Sequence, residues 1–232
     1  MAHVPHTLVD PVSLASLGAV STNSLVPAQQ PTSLPQLRAK DAYQQRCLKC
    51  SELCTFYSYP ALLRAALFEG DAAVTTFIPR PFNLRVNGCS YTPSIYVVRA
   101  DQRQVIDLTL DGTLPDEQRR PLAAFFTQHG LGFEVQSHKA LLAREAEAQH
   151  WLMILRALVV TQHLSTETQE FQLWQQCQTL TDITVGDILD VGNRTQHYLK
   201  ELAFYRLLYR HRLRVDPSQT PLTLDTPVTL CT

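Results

Sequence analysis

Apolar residues at Tyr59, Leu62, Leu63, Ala66 and Leu67 recur at helical spacing, and this run predicts a helix over Tyr59–Glu69. Ser58 supplies an N-cap, Pro60 sits where the first turn tolerates a missing N–H, and Gly70 follows as a C′ residue. The pattern then shortens to strands at Val74–Ile78, Phe82–Val86, Tyr91–Val98 and Gln104–Leu110. In the second of these, Phe82, Leu84 and Val86 alternate with Asn83 and Arg85, as a half-exposed strand requires, and Asn87-Gly88 marks a turn after it. A helix over Pro115–His129 closes at Gly130, a strand covers Gly132–Val135, and helical spacing resumes from His138. This order predicts a mixed α/β core.

The pattern changes near Gln169. A short helix at Thr184–Leu189, a turn at Val191-Gly192-Asn193, a longer helix at Arg194–Arg210 and a hairpin from Leu213–Val215 and Leu222–Leu230 give the outline of a winged-helix domain. Trp151 and Trp174, with Leu152, Ile154, Leu155 and Leu158, lie on apolar helical stripes that read as core. Residues 1 to 40 are rich in Ser, Ala, Pro, Gln and Thr and have no sustained period. Pro11, Pro27, Pro31 and Pro35 leave room for one short helical piece near Val12–Leu17. The reading is a flexible tail over 1–45, an α/β domain over 46–165 and a winged-helix-like domain over 166–232.

Composition narrows the function classes. A chain of 232 residues with 45% hydrophobic and 18% charged residues is globular, and a net charge of −1 exerts no global pull on nucleic acid. The most apolar run, Leu152–Val160, is interrupted by Arg156 and falls far short of the roughly 20 residues of a membrane span. Met1-Ala2-His3-Val4-Pro5 lacks a basic n-region, so no secretory signal is expected, and the six cysteines read as reduced thiols of a cytoplasmic protein. No Gly-rich phosphate loop and no Ser-His-Asp order is present, which argues against an NTPase or a covalent hydrolase.

Five landmarks stand in order: Phe56 and Ser58 at the helix start, Pro81-Phe82, Tyr91-Thr92-Pro93, the strand Gly130–Val135, and the ending Leu213-Arg214-Val215-Asp216 with Pro221-Leu222-Thr223. Over residues 50 to 230 the chain resembles the TnsA family, the endonuclease subunit of heteromeric cut-and-paste transposons. The resemblance implies a restriction-endonuclease-like mixed sheet followed by a small winged-helix-like domain. Family members carry a Phe-Glu-Ser-x-x-Glu-like helix start, Gln-Pro-Phe, Tyr-Thr-Pro-Asp and Glu-Val-Lys. Here the helix Glu falls on Ala61 and the other Glu on Tyr57, the Asp falls on Ser94, and Gln becomes Arg80. Asp107 and Thr109 take the Glu-x-Lys places if the preceding loop is one residue shorter; otherwise Leu108 and Leu110 do.

These departures bear on the chemistry. Mg²⁺ takes hard oxygen ligands, mostly carboxylates and water, and phosphodiester hydrolysis of this type relies on that shell. Ser94 offers a neutral hydroxyl, Ala61 offers nothing, and Thr109 lacks the positive charge of a lysine. Ala61, Ser94, Asp107 and Thr109 are therefore read as vestigial nuclease positions, with no catalytic residue assigned. Glu52, Glu69, Asp101, Asp107, Asp111 and Glu117 are near enough in sequence to serve a displaced site, but they read as solvated caps and turn residues.

Cys47, Cys50 and Cys54 form a C-x2-C-x3-C cluster. A structural zinc site takes four ligands, and no matched second pair accompanies the trio, so it reads as buried thiols. Cys89 or a histidine would complete a site only through the fold. His138, His150, His163 and His197 form no ligand pattern.

Arg194, Lys200, Arg206, Arg210, Arg212 and Arg214 stand against the single acid Glu201, a cluster suited to a DNA backbone, to a partner protein or to a solvated helix end. Arg80 adds a cation where phosphate would pass in the family. The resulting expectation is a catalytically degenerate TnsA-like pseudo-nuclease. In DNA transposition it would bridge a DDE-type transposase, an AAA+ regulator and transposon-end DNA, without a cofactor. The alternative is an active metal-dependent endonuclease with relocated ligands, using Mg²⁺ to cut the non-transferred 5′ strands. A third class is a free-standing DNA-binding regulator on the same fold.

Overall fold

The computed structural model describes residues 19–31, 41–100, 102–180, 182–189, 194–215 and 222–231. The expected helical piece at Val12–Leu17 and the expected turn at Val191–Asn193 lie outside the described residues. In chain order come β1 (Val20–Thr22), the hairpin strands β2 (Tyr43–Arg46) and β3 (Leu53–Phe56), and helix α1 (Tyr59–Glu69). Strands β4 (Val74–Pro79), β5 (Leu84–Val86), β6 (Cys89–Tyr91), β7 (Ile95–Arg99) and β8 (Gln102–Thr109) follow, then α2 (Asp116–Gln128) and β9 (Gly132–Ser137). Then come helices α3 (His138–Leu142), α4 (Glu145–Val160), α5 (Glu167–Thr179), α6 (Val185–Ile188) and α7 (Arg194–Tyr209), followed by β10 (Leu213–Val215) and β11 (Val228–Leu230). The protein is mixed α/β, with several sheets of mixed strand orientation.

Two compact units interleave along the chain rather than following one another. One is built on 54–61, 74–140 and the described residues before 46; the other takes 46–53, 62–73 and 141 onward.

The first unit centres on the sheet β4-β7-β8-β9. β7 runs antiparallel to β4 and to β8, while β9 runs parallel to β8. A parallel neighbour needs a crossover, and α2 supplies it between β8 and β9. Its Leu122, Phe125 and Phe126 join Tyr96, Val105, Phe82 and Leu84 in one buried cluster. Pro121 lies inside α2 and cannot donate to the Glu117 carbonyl; Asn87 Nδ2 takes that carbonyl instead at 3.1 Å. Asn87 and Gly88, both at positive φ (50° and 81°), turn β5 back onto β6, as the sequence predicts.

The expected single strand Tyr91–Val98 is two strands in different sheets, β6 and β7. Pro93 has no N–H for a ladder, and the chain changes sheet there. Val20–Thr22, within the stretch read as a tail, pairs antiparallel with β5, and Val20 is fully buried.

In the second unit, α4, α5, α6, α7 and the β10–β11 pair enclose a core of Ile154, Leu158, Leu173, Val185, Phe204 and Leu208. Thr184 and Asp187 form a reciprocal capping box that starts α6. Gly70 meets a different need from the one expected of a C′ residue. A Cβ there would lie 2.0 Å from Trp151 Cε2, so the backbone passes against the indole face where only glycine fits. Gly70→Ala is expected to force Trp151 aside and cost about 2–3 kcal/mol, an overpacking penalty that urea denaturation of the full chain will measure. Among the described residues, no helix is long and apolar enough to cross a membrane.

Candidate functional site

Of the positions that the sequence singles out, Ser94, Asp107 and Thr109 lie at one end of the four-stranded sheet. Ile95 pairs with Ile106, so Ser94, just before β7, comes opposite Asp107 on β8. Asp107 is 7% exposed, and both of its oxygens are engaged by protein. Oδ2 accepts from the Tyr91 hydroxyl at 2.6 Å; Oδ1 accepts from Ser94 Oγ at 2.7 Å and from the Leu108 N–H at 3.1 Å. The Leu108 N–H also donates to Ser94 Oγ at 2.9 Å, which fixes the direction in which that hydroxyl gives its proton. Burial, then the charge of Asp107 and its hydrogen bond, hold the Tyr91 phenol well above its ordinary range, so it remains a donor.

This donor set does not fit Mg²⁺. An octahedral shell needs several hard oxygens turned towards one point, with waters between them. Here one carboxylate is turned towards three neutral donors, and two of those donors are the side chains that flank it. Thr109, at the end of β8, accepts the Gly112 N–H at 3.0 Å and so shapes the following turn. Ala61 is 9% exposed on α1. Among the described residues, no group of three His, Cys, Asp or Glu forms around Asp107.

Three of the displaced-site candidates have places of their own. Asp111 accepts from the Thr113 N–H in a turn, and Glu117 lies in the first turn of α2. Glu69, fully buried, accepts from the N–H groups of Leu48 and Lys49 at 2.9 and 3.1 Å and from the Tyr209 hydroxyl at 2.8 Å. Asp101 lies outside the described residues.

Arg80 adjoins the Asp107 end through the backbone. Its N–H donates to the Ser94 carbonyl at 2.8 Å, its φ is 50°, and its guanidinium lies 4.7 Å over the Tyr57 ring. Arg80 and Tyr57, more than twenty residues apart in sequence, are thus in contact with each other.

The C-terminal cations do not form one free face. Arg206 points inward: it donates to Thr166 Oγ1 and to the carbonyls of Thr161 and Leu164, at 2.5, 3.0 and 2.7 Å, with Glu170 at 3.9 Å. It ties the α4–α5 connection to α7 and is not placed to reach a phosphate. Arg210 is half-exposed and ion-paired with buried Glu170. Arg212 and Arg214 are exposed, Lys200 is partly so, and the Arg194 side chain lies outside the described residues. Glu170 as the organiser of this network has no signal in the sequence beyond its distance of four residues from Thr166.

His150 accepts the Leu222 N–H at 2.6 Å, and burial lowers its affinity for a proton, as suits an acceptor. The three cysteine sulfurs of the 47–54 segment lie within 4.8 Å of one another. No protein-family model matches the chain, and no curated protein matches it.

Proposed function

We propose that the chain is a TnsA-like subunit whose nuclease site has become a structural hydrogen-bond cluster, and that it acts in DNA transposition as an architectural component. The observation that carries the reading is the closed set around Asp107. At the place where the family holds metal with acids, this chain has one acid engaged at both oxygens by Tyr91, Ser94 and Leu108. The chain order α1, β4, β7, β8, α2, β9, with sheet order β4-β7-β8-β9, supports a restriction-endonuclease-like core. The succession α6, α7, β10, β11 supports a winged-helix-like end.

On this reading the protein binds a DDE-type transposase, an AAA+ regulator and transposon-end DNA, and contributes position rather than bond cleavage. Arg80, stacked on Tyr57, is the cation to engage a passing phosphate, and Arg212 and Arg214 are the exposed pair for DNA or a partner surface. Arg206 is withdrawn from that role by its internal bonds.

The test is strand-resolved cleavage of transposon-end DNA with the cognate transposase and regulator present and Mg²⁺ or Mn²⁺ added. Joining at the 3′ strands alone is expected, with weaker assembly when this chain is omitted. Nicks in the 5′ strands that depend on this chain would overturn the reading in favour of an active endonuclease with relocated ligands. Unchanged assembly and joining without the chain would remove it from transposition altogether.

A further inference from the structure

We infer that Cys47, Cys50 and Cys54 form a three-thiolate site for a single soft divalent cation of the zinc class. The expectation of plain buried thiols rested on the absence of a matched second pair in the sequence. The folded segment changes that reading, because the trio is already gathered. All three sulfurs lie within 4.8 Å of one another, Cys47 and Cys54 are 5% and 2% exposed, and Cys50 is partly exposed. Two thiolates bound at about 2.3 Å to a tetrahedral zinc ion sit roughly 3.8 Å apart, so small χ1 rotations bring the trio to bonding distance. The cubane of an iron–sulfur cluster spreads its cysteines more widely than a single ion does, and the trio is too tight for it.

The approach is local to eight consecutive residues of the β2–β3 hairpin: its connection carries Cys47 and Cys50, and its returning strand carries Cys54. None of the three is in a disulfide. The connection is held by bonds that do not involve sulfur. The Leu48 and Lys49 N–H groups donate to Glu69 Oε1, and Lys49 Nζ donates to the carbonyls of Phe68 and Asp71 at 2.9 and 2.7 Å. A Cys-x2-Cys connection fixed in this way presents its sulfurs without waiting for the metal to order it, which is what a tight site requires.

Among the described residues, no other His, Cys, Asp or Glu joins the group. The fourth position therefore falls to water or to a donor brought by a partner. Binding Zn²⁺ converts thiols to thiolates and releases their protons to solvent, with no change of oxidation state.

The site stands independently of the proposed role in transposition. Its test is titration of the reduced, metal-free full chain with Co²⁺. One equivalent with a thiolate-to-cobalt charge-transfer band, displaced by Zn²⁺, is expected. Cys50→Ser, the partly exposed member, should lower Zn²⁺ affinity by more than about tenfold, because losing a ligand exceeds losing an outer-shell partner. Cys89→Ser and Cys231→Ser should leave it unchanged. Alkylation mapped by mass spectrometry on the unmutated chain is the second readout, immune to any folding defect: Zn²⁺ should protect Cys47, Cys50 and Cys54 and leave Cys89 and Cys231 reactive. Absence of the charge-transfer band, equal alkylation with and without Zn²⁺, or a band that survives Cys50→Ser and vanishes in Cys89→Ser would each overturn the site.

Discussion

Glu69→Ala is expected to destabilise the protein by about 4 kcal/mol, the largest loss of any single substitution proposed, because it empties a fully buried position and strands three partly buried donors at once. The Leu48 and Lys49 N–H groups and the Tyr209 hydroxyl all end on this carboxylate, and the protein contains it with no exposure. Glu69→Gln separates shape from charge. Its amide oxygen still accepts the two N–H groups, while Tyr209 turns to accept from the amide nitrogen, so a loss of about 1 kcal/mol is expected at neutral pH.

The pH profile should distinguish the two further. Burial raises the folded-state pKa of Glu69 against the opposing bonds from Lys49 and Tyr209. A group raised in the folded state contributes stability that is complete below its unfolded value, about 4.3, and is lost as pH rises through the folded value. The unmodified protein should therefore gain stability relative to Glu69→Gln as pH falls from neutral towards that range. Urea denaturation of both chains across it checks the sign, and a parallel or opposite trend would remove Glu69 as the source. Glu69→Ala should also loosen the Cys47–Cys50 connection and weaken Co²⁺ binding without removing a ligand.

Asp107→Ala is expected to cost about 3 kcal/mol, since it leaves the partly buried Tyr91 hydroxyl and Ser94 without the acceptor that orders them. Asp107→Ala and Tyr91→Phe should be strongly non-additive, with a coupling of about 1–2 kcal/mol in a double-mutant cycle. The sign carries the functional question. In a working metal site, removing one of several crowded acids relieves repulsion and stabilises the metal-free protein, at the expense of activity. Here the same substitution should destabilise and leave Mn²⁺ affinity unmoved. Greater stability of the variant, or lost Mn²⁺ binding, would restore the catalytic alternative.

Much of the architecture is legible where local chemistry and burial agree. Helix α1 follows from the spacing of Leu62, Leu63, Ala66 and Leu67 after Ser58, whose Oγ accepts the Ala61 N–H at 3.3 Å. The β5–β6 turn follows from Asn87-Gly88, and α6 from Thr184 and Asp187. Legibility ends where a feature depends on a partner far along the chain. The three residues of β1 have no period of their own and become a strand by pairing with β5, more than sixty residues on. Tyr91 is visible as part of a motif, yet its bond to Asp107 exists only through the register of β7 against β8 and the change of sheet at Pro93. Arg206 has the same residue type and helical setting as its exposed neighbours. Its inward direction is set by the carbonyls of Thr161 and Leu164, to which it donates and which lie some forty residues away in the chain.

The crossing of the chain between its two units limits how the gene can be divided. A gene fragment beginning at residue 141 encodes every helix from α4 onward and the closing strands, and looks self-sufficient on paper. It omits residues 46–53 and 62–73, and with them the carboxylate on which Tyr209 ends and the glycine against which Trp151 lies. Such a fragment keeps its hydrophobic sequence but loses its own floor, so it should be recovered as an aggregate. Recombination that exchanged the C-terminal half between relatives would meet the same barrier, and the two units should be inherited together.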